Sequence, residues 1–392
     1  MKTIRVEIKG SERELKVVWS DESRFPSYFI NRKLVDDCAH DIRRVLRELV
    51  NTALEGKLDS CGPILKRLAD QGAHLKDALF AKTGGEGDPK RIRSYFDEFR
   101  DHSKLRFVVS DDVFVPWGLI YSADPRQLPD VLPLDTDNAW ETYGAFWNLS
   151  HQISTVYHRI PPDAAGGKLN ASPLEMIRLV HPETLAAATE CLSGSPEESF
   201  IDWLNEFSGE PLTTSNELSE EWRKKGSKTG LLYFYCHASA SLLALGKEEK
   251  IKASRLFLML TDVERELGSS GCLVLLNGCS TATGSESGEF VQATARNGLC
   301  GFVGTEADVP DIFALRFSIS LLRLLFRQGL PLGEAMQLLY RAHFPLSLLY
   351  GLYALPNFKM KKEQAPDIVS QQPKNFSFSQ VGTNRLKVGH GS

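Results

Sequence analysis

The chain has 392 residues, enough for one large domain or two ordinary ones, and its composition of 42% hydrophobic and 24% charged residues is typical of a globular protein. The net charge of −4, with acidic and basic residues interspersed, gives no electrostatic footprint for nucleic acid or for an anionic membrane surface. No apolar run approaches the roughly 18–20 residues that cross a bilayer, and the first residues alternate apolar and charged side chains, unlike a signal peptide, so we predict a cytoplasmic protein.

The first third of the chain predicts a β-hairpin followed by two helices. Thr3–Ile8 and Leu15–Trp19 alternate in period two around a Gly-containing turn. Apolar residues then recur at helical spacing over Val35–Leu54 and Cys61–Phe80. The Gly-rich stretch Thr83–Pro89 predicts a boundary after this N-terminal part.

The middle of the chain is less regular. Leu105–Val109 predicts a strand, and Phe114–Tyr121 is a further apolar segment. Residues 122–140 are rich in Pro and Asp and predict a loop. Thr142–Tyr157 is helix-like.

The C-terminal half alternates short, continuous apolar strands with helices. The predicted strands are Leu231–Cys236, Cys272–Asn277 and Cys300–Thr305. The predicted helices are a polar region after the first strand, most regular over Ala253–Leu267, and then Phe290–Arg296, Asp311–Arg327 and Glu334–His343. Such a rhythm is typical of a parallel sheet covered on both faces. We therefore predict an α/β fold with a mostly parallel sheet, preceded by an N-terminal hairpin and helical extension at 1–100 and followed by a polar, flexible tail at 359–392.

The cysteine pattern argues against two common uses of this residue. Seven is an odd number, and no C-x-x-C pair occurs, so neither a disulfide framework nor a zinc knuckle is indicated. Most of the cysteines have apolar neighbours and are expected to be small buried hydrophobes. We predict no metal and no cofactor. The cysteines are Cys38, Cys61, Cys191, Cys236, Cys272, Cys279 and Cys300.

Two of the predicted strands end in reactive side chains. Leu231–Cys236 is followed by His237, and Cys272–Asn277 is followed by Gly278 and Cys279. Since ligands bind at the carboxyl edge of an open α/β sheet, and one crossover makes strands near neighbours, the imidazole and the thiol could meet there. An imidazole supplies the base that a thiol nucleophile needs at neutral pH. The backbone N–H groups of Cys279 and of Ala238 or Ser239 could form an oxyanion hole.

The same residues have an ordinary structural interpretation. A Cys after an apolar strand is usually part of the core, and a single His at a strand end is usually a satisfied structural group. Cys236 would alternate to the opposite side of its strand from His237 and is interpreted as packing.

Several collinear motifs resemble those of CHAT-domain proteases, relatives of caspases and separases. Tyr233–Ala238 (Tyr-Phe-Tyr-Cys-His-Ala) and Leu275–Ala282 (Leu-Leu-Asn-Gly-Cys-Ser-Thr-Ala) are similar to the family's His and Cys motifs. The similarity continues through Gly301–Ala314 and Leu330–Met336, and Asp112–Ile120 is similar to an early Pro-Trp segment. The resemblance covers roughly residues 101–355 and implies a caspase-like α/β/α three-layer sandwich as the protease domain at 101–358, with a His237–Cys279 dyad that needs no third member.

The resemblance also suggests where a substrate would bind. Glu306 and Asp308 follow the strand next after the nucleophile, near the family's substrate pocket, and Asp112 has a smaller claim; an acidic pocket would favour Arg or Lys before the scissile bond. Alternatively, Asp308 or Asp311 caps the helix that begins near Ile312. This chain departs from the family at Ala307, where many members have an aromatic residue, and at Ala238, where a Gly often follows the His.

Three functions remain open from the sequence. The first is a cysteine endopeptidase that cuts a protein substrate as a regulated effector of bacterial-type stress, defence (including antiviral defence) or cell death, with any regulatory partner on another chain. The second is an idle caspase-like scaffold that binds partners. The third is a thiol hydrolase for a small amide or ester, which a deep, closed pocket would favour over an open groove.

Overall fold

The computed structural model describes residues 3–10, 13–19, 27–80, 104–109, 113–132, 139–157, 175–225, 228–239, 242–246, 249–252, 254–256, 272–279, 281, 290 and 299–360. The predicted boundary at Thr83–Pro89 and the chain beyond residue 360 lie outside these residues, as do most of the predicted helices over 253–267 and 290–296. Among the helices that the structure describes, none combines the length and apolar character needed to cross a bilayer.

Thirteen strands and seven helices of nine residues or more are found in the described part of the chain. The strands are β1 Thr3–Gly10, β2 Glu14–Trp19, β3 Tyr28–Asn31, β4 Lys104–Val109, β5 Gln152–Tyr157, β6 Glu175–Val180, β7 Thr229–Tyr235, β8 His237–Ser239, β9 Leu242–Ala244, β10 Lys250–Lys252, β11 Leu273–Asn277, β12 Gly301–Thr305 and β13 Tyr350–Ala354. The helices are α1 Arg32–Leu54, α2 Gly62–Phe80, α3 Pro182–Glu190, α4 Pro196–Ser208, α5 Ser215–Lys225, α6 Asp311–Leu322 and α7 Leu332–Ala342.

The N-terminal sheet has the strand order β3-β2-β1-β4-β5. β1 and β2 pair antiparallel, which confirms the predicted hairpin, whereas β4 joins β1 and β5 joins β4 in parallel. Asn31 caps α1 by accepting the backbone N–H of Leu34 at 3.1 Å, and the apolar face of α1 is buried. Because β4 and β5 come from residues 104–157, a division at residue 100 would separate strands of one sheet.

The helix-like prediction over Thr142–Tyr157 is wrong for most of its length. Only the single turns Ala139–Thr142 and Trp147–Ser150 are helical, and Gln152–Tyr157 is strand β5. All six residues of β5 pair with β4, so the backbone hydrogen bonds of this segment are made between strands and not within a helix. Ile153, Thr155 and Val156 are β-branched and suit a strand.

The C-terminal sheet confirms the predicted parallel sheet covered on both faces. Its order is β13-β12-β11-β7-β6; β6, β7, β11 and β12 are parallel, and β13 is antiparallel to β12. Every residue of β7, β11 and β12 is buried. Successive side chains point to opposite faces, so both faces are covered. On one face α6 packs closely, since the Tyr233 and Ser318 hydroxyls lie 2.9 Å apart and Asn277 Nδ2 donates to the Ala314 carbonyl at 2.7 Å.

The polar helix region that was predicted directly after β7 begins instead with strands. β8, β9 and β10 form a small antiparallel sheet in the order β10-β9-β8. Leu243 and Ile251 are buried between exposed or partly exposed neighbours, which is the period-two pattern of a strand. The first strand of this small sheet begins at His237.

Candidate active site

Cys279 and His237 follow two neighbouring parallel strands. In the β7–β11 ladder, Asn277 pairs with Tyr235, so Cys279 and His237 each come two positions later at the same edge of the sheet. Gly278 keeps the two chains in close contact: a Cβ there would lie 2.7 Å from the Cys236 carbonyl oxygen and 2.9 Å from the Ala238 Cβ. Only glycine permits this approach without a shift of the backbone.

A buried polar network fixes the turn that carries Cys279. The Thr305 hydroxyl donates to the Gly278 carbonyl at 2.5 Å, and the Thr305 N–H donates to the Thr281 hydroxyl at 2.9 Å. On the other side, the Tyr350 hydroxyl donates to Asn277 Oδ1 at 2.6 Å. These bonds tie the end of β11 to β12 and β13, which holds the thiol in one place.

Cys279 differs from the other strand cysteines in its exposure. All seven cysteines are free thiols, but Cys236, Cys272 and Cys300 are buried whereas Cys279 is partly exposed. Its sulfur lies 4.0 Å from the Val309 carbonyl oxygen. Burial, and then the negative charge of Asp308, raise the pKa of the thiol to about 12, so it is protonated at neutral pH and needs a base in order to attack.

His237 is exposed, and Thr184 of α3 contacts its imidazole ring. The Thr184 hydroxyl lies 3.0 Å from His237 Nε2 and 3.1 Å from His181 Nδ1. His181 follows β6 directly, and its backbone N–H donates to the Tyr235 carbonyl at 2.8 Å, so the ends of β6 and β7 stay together. The rings of His181 and His237 meet edge to face with their centroids 5.2 Å apart.

Asp311 is the charged group that α6 adds to this edge of the sheet. Burial raises the pKa of Asp311, and the neighbouring imidazoles of His237 and His181 oppose that rise. The Tyr235 hydroxyl donates to the Asp311 carbonyl at 2.9 Å, which positions the start of α6 over β7. The N-cap of α6 is Pro310, so the cap alternative for Asp308 and Asp311 is not what the structure has.

The predicted acidic residues have different surroundings. Glu306 is only 2% exposed, and its carboxylate is paired with Arg43 of α1 at 3.0 Å and accepts the Tyr353 hydroxyl. Burial raises its pKa and Arg43 opposes the rise. Glu306 therefore joins α1 to the C-terminal sheet through a buried ion pair. Asp308 is exposed, and Asp112 lies outside the described residues.

Sequence reasoning overlooked His181 and Thr184, although a signal was present. Met176–Val180 is apolar except for Arg178 and is followed by His181, a pattern close to the one that identified His237 and Cys279. The following Pro182 marks a helix start, so Thr184 falls in the first helical turn and faces back toward the strand end. Applying to β6 the same search for reactive side chains just after a strand would have identified His181.

Within the described residues, no group of three or more His, Cys, Asp or Glu side chains is arranged to hold a metal ion. A cavity of about 20 Å³ lies elsewhere, between β5 and β13, and its lining includes Trp117, Thr155 and Glu306. His237 and Cys279 do not line this cavity.

Comparison with known proteins gives matches by fold only. No protein-family model matches the sequence, and no curated protein matches it. Two crystal structures of the Saccharomyces cerevisiae separase–securin complex, at 2.6 and 3.0 Å resolution, match with TM-scores of 0.40 and 0.41 and sequence identities of 13% and 14%. Each match covers 84% of this chain, which spans only 23% of the length of the matched chain.

Proposed function

We propose that the protein is a cysteine endopeptidase in which Cys279 is the nucleophile and His237 the general base. The observation that supports this most is the parallel register that places the partly exposed Cys279 and the exposed His237 two residues beyond a paired Asn277 and Tyr235. A thiol and an imidazole at adjacent strand ends are the minimum that acyl transfer requires.

The raised pKa of Cys279 determines how the proton moves. A thiol with a pKa of about 12 has almost no thiolate at neutral pH. His237 therefore removes the proton from Sγ as the sulfur attacks the scissile carbonyl, and then delivers it to the leaving amine. The backbone N–H groups of Cys279 and Ala238 are proposed to stabilise the oxyanion. Water, deprotonated by His237, then hydrolyses the thioester and restores the thiol.

Asp308 is the proposed recognition group for the substrate. It is exposed, and its charge acts on the Cys279 thiol, so it lies near the reacting sulfur. A carboxylate in this position favours Arg or Lys in the substrate. Asp112 remains a proposed second acidic contact. We further propose a protein substrate and a cellular role as a regulated effector in stress, defence or cell death.

Digestion of a diverse peptide library tests the proposal, with the cleavage sites determined by mass spectrometry. The wild type is expected to cut and Cys279→Ala to fall to a small residual rate, without loss of its unfolding midpoint, because the substitution removes one partly buried sulfur. Cys191→Ala, which removes the exposed cysteine at the end of α3, is the matched control and should cut normally. Equal cutting by Cys279→Ala would refute the mechanism, and absence of wild-type cuts, also with candidate partner proteins added, would favour the scaffold.

A further inference from the structure

The imidazole of His237 is connected through one hydroxyl to a second, buried imidazole. Thr184 Oγ1 lies within hydrogen-bond distance of both His237 Nε2 and His181 Nδ1. His181 and Thr184 are 7% and 8% exposed, whereas His237 is exposed. The connection therefore leads from the accessible imidazole into the protein.

The backbone fixes the direction of these hydrogen bonds. The Thr184 N–H donates to His181 Nδ1 at 3.3 Å, as expected for an N-cap side chain, so this nitrogen carries a lone pair. If His181 Nδ1 is an acceptor, the Thr184 hydroxyl must donate to it across the 3.1 Å contact. The same oxygen is then an acceptor toward His237, and the 3.0 Å contact needs a proton on His237 Nε2.

The reverse assignment leaves a conflict. If the Thr184 hydroxyl donated to His237, the contact between Thr184 Oγ1 and His181 Nδ1 would require a proton on Nδ1. That proton would face the Thr184 backbone N–H, and two donors would meet at 3.3 Å. Only the first assignment gives each of the three short contacts one donor and one acceptor.

We propose that Thr184 and His181 are positioning residues that hold neutral His237 with its proton on Nε2 and its lone pair on Nδ1. This inference rests on the proposed function for its chemical meaning, since Nδ1 is then the nitrogen that accepts the Cys279 proton. When His237 becomes positively charged, Nε2–H still donates to Thr184, so the ring keeps its orientation through the proton transfer. His237 thus has a supporting side chain that the resemblance to a dyad family does not imply.

Other ionisable groups near His237 belong to separate elements. Asp311 comes from α6, His181 from the start of α3, and Cys279 from the turn after β11, with Asp308 in the segment after β12. Thr184→Val leaves all of these side chains in place and removes only the hydroxyl with its contacts to His237 Nε2 and His181 Nδ1. A shift in the pH profile of this variant therefore reports on the hydroxyl and the two imidazoles that it connects.

The test compares Thr184→Val, which keeps the shape and the backbone N–H but removes the hydroxyl, with Thr184→Ser, which keeps the hydroxyl. Nitrogen-15 NMR of histidine-labelled protein, with signals assigned through His237→Ala and His181→Asn, gives the tautomer of each ring without any substrate. Wild type and Thr184→Ser are expected to show the Nε2-protonated form of His237, and Thr184→Val a mixture of both tautomers. For any peptide that the wild type cuts, kcat/KM should fall roughly tenfold to a hundredfold in Thr184→Val, mostly in kcat, and recover in Thr184→Ser.

The two readouts separate the failure of this inference from the failure of the proposed function. An unchanged tautomer and an unchanged pH profile of kcat/KM in Thr184→Val would overturn the positioning role, even if Cys279→Ala abolished cleavage. A mixed tautomer in Thr184→Val with restoration in Thr184→Ser would support the positioning role, even if no peptide were cut. If His237 in the wild type carried its proton on Nδ1, the assignment would be overturned directly.

Discussion

The two five-stranded sheets differ in the side chains that pack against their strands and in the residues that follow those strands. The N-terminal sheet is stabilised by aromatic packing: Phe107 of β4 stacks on Trp117 with centroids 4.0 Å apart, and Trp147 is fully buried beside them. The strands of the C-terminal sheet are more completely buried, since every residue of β7, β11 and β12 is buried whereas β3 and β4 contain exposed or partly exposed residues. Three of its strands, β6, β7 and β11, are followed within two residues by a polar or reactive side chain, namely His181, His237 and Cys279. Apolar strands can thus build either a support or a reactive edge, and the residues just after each strand decide which.

The two sheets are joined by a buried charge pair beside a small cavity. Arg43 of α1 donates to Glu306, just after β12, at 3.0 Å and to the Phe114 carbonyl at 3.3 Å. β5 and β13, the adjoining edges of the two sheets, line the cavity next to this pair. The N-terminal part therefore supports the segment from Glu306 to Val309, which follows β12. The Val309 carbonyl at the end of this segment lies 4.0 Å from the Cys279 sulfur.

The largest effect is expected from breaking this junction. Arg43→Met leaves the Glu306 carboxylate buried without its cation and should lower the free energy of unfolding by about 3–5 kcal/mol. Urea denaturation followed by tryptophan fluorescence measures the change. Arg44→Met, which removes an exposed partner of Asp41, is the matched control and should cost about 0.5 kcal/mol or less.

A second substitution identifies the cause of that loss. Adding Glu306→Gln to Arg43→Met removes the unpaired charge and should restore part of the stability, since the penalty arises from the isolated carboxylate. Equal stability of Arg43→Met and Arg44→Met would show that the two sheets do not depend on this pair.

A smaller effect is expected at the reactive edge itself. Asp308→Asn removes a negative charge that raises the pKa of Cys279, so the thiolate fraction at a fixed pH should rise. Alkylation of Cys279 by iodoacetamide between pH 7 and 9, followed by mass spectrometry, should become about two- to tenfold faster, because one pKa unit corresponds to a tenfold change in thiolate.

The same variant should have the opposite effect on cleavage. Peptides with Arg or Lys before the cut should be cut more slowly by Asp308→Asn, because the proposed recognition charge is gone. The alkylation rate of Cys191 is the internal control. Unchanged alkylation of Cys279 together with unchanged cleavage would remove Asp308 from the site.

The sequence was sufficient for the features that depend on local pattern. The continuous apolar strands and the helices α1, α2, α6 and α7 could be predicted because their periodicity is strong. Strand β5 could not, because its pairing partner β4 and its packing neighbour β13 are distant in sequence and decide its conformation. Residues 237–252 were likewise misassigned, since the short β8–β10 sheet depends on pairing and not on propensity.

The residues of the candidate site likewise include some that local sequence pattern predicts and some that depend on distant contacts. His237 and Cys279 follow from the rule that reactive groups sit at the carboxyl ends of parallel strands. The pairing of Glu306 with Arg43 could not be predicted, because the partners are separated by 263 positions and their contact exists only once both sheets are in place. An acidic residue near a nucleophile therefore predicted a substrate contact where the structure has a buried ion pair.

The most direct test of the central claim is a double-mutant cycle on His237 and Cys279, with kcat/KM measured on one cleaved peptide for the wild type, His237→Ala, Cys279→Ala and the double variant. If the two residues act as one unit, the double variant should be no slower than Cys279→Ala alone, because the base has no function without its thiol. If the losses instead multiply, or if His237→Ala retains the wild-type rate, the two side chains work independently and the proposed His237–Cys279 dyad is contradicted.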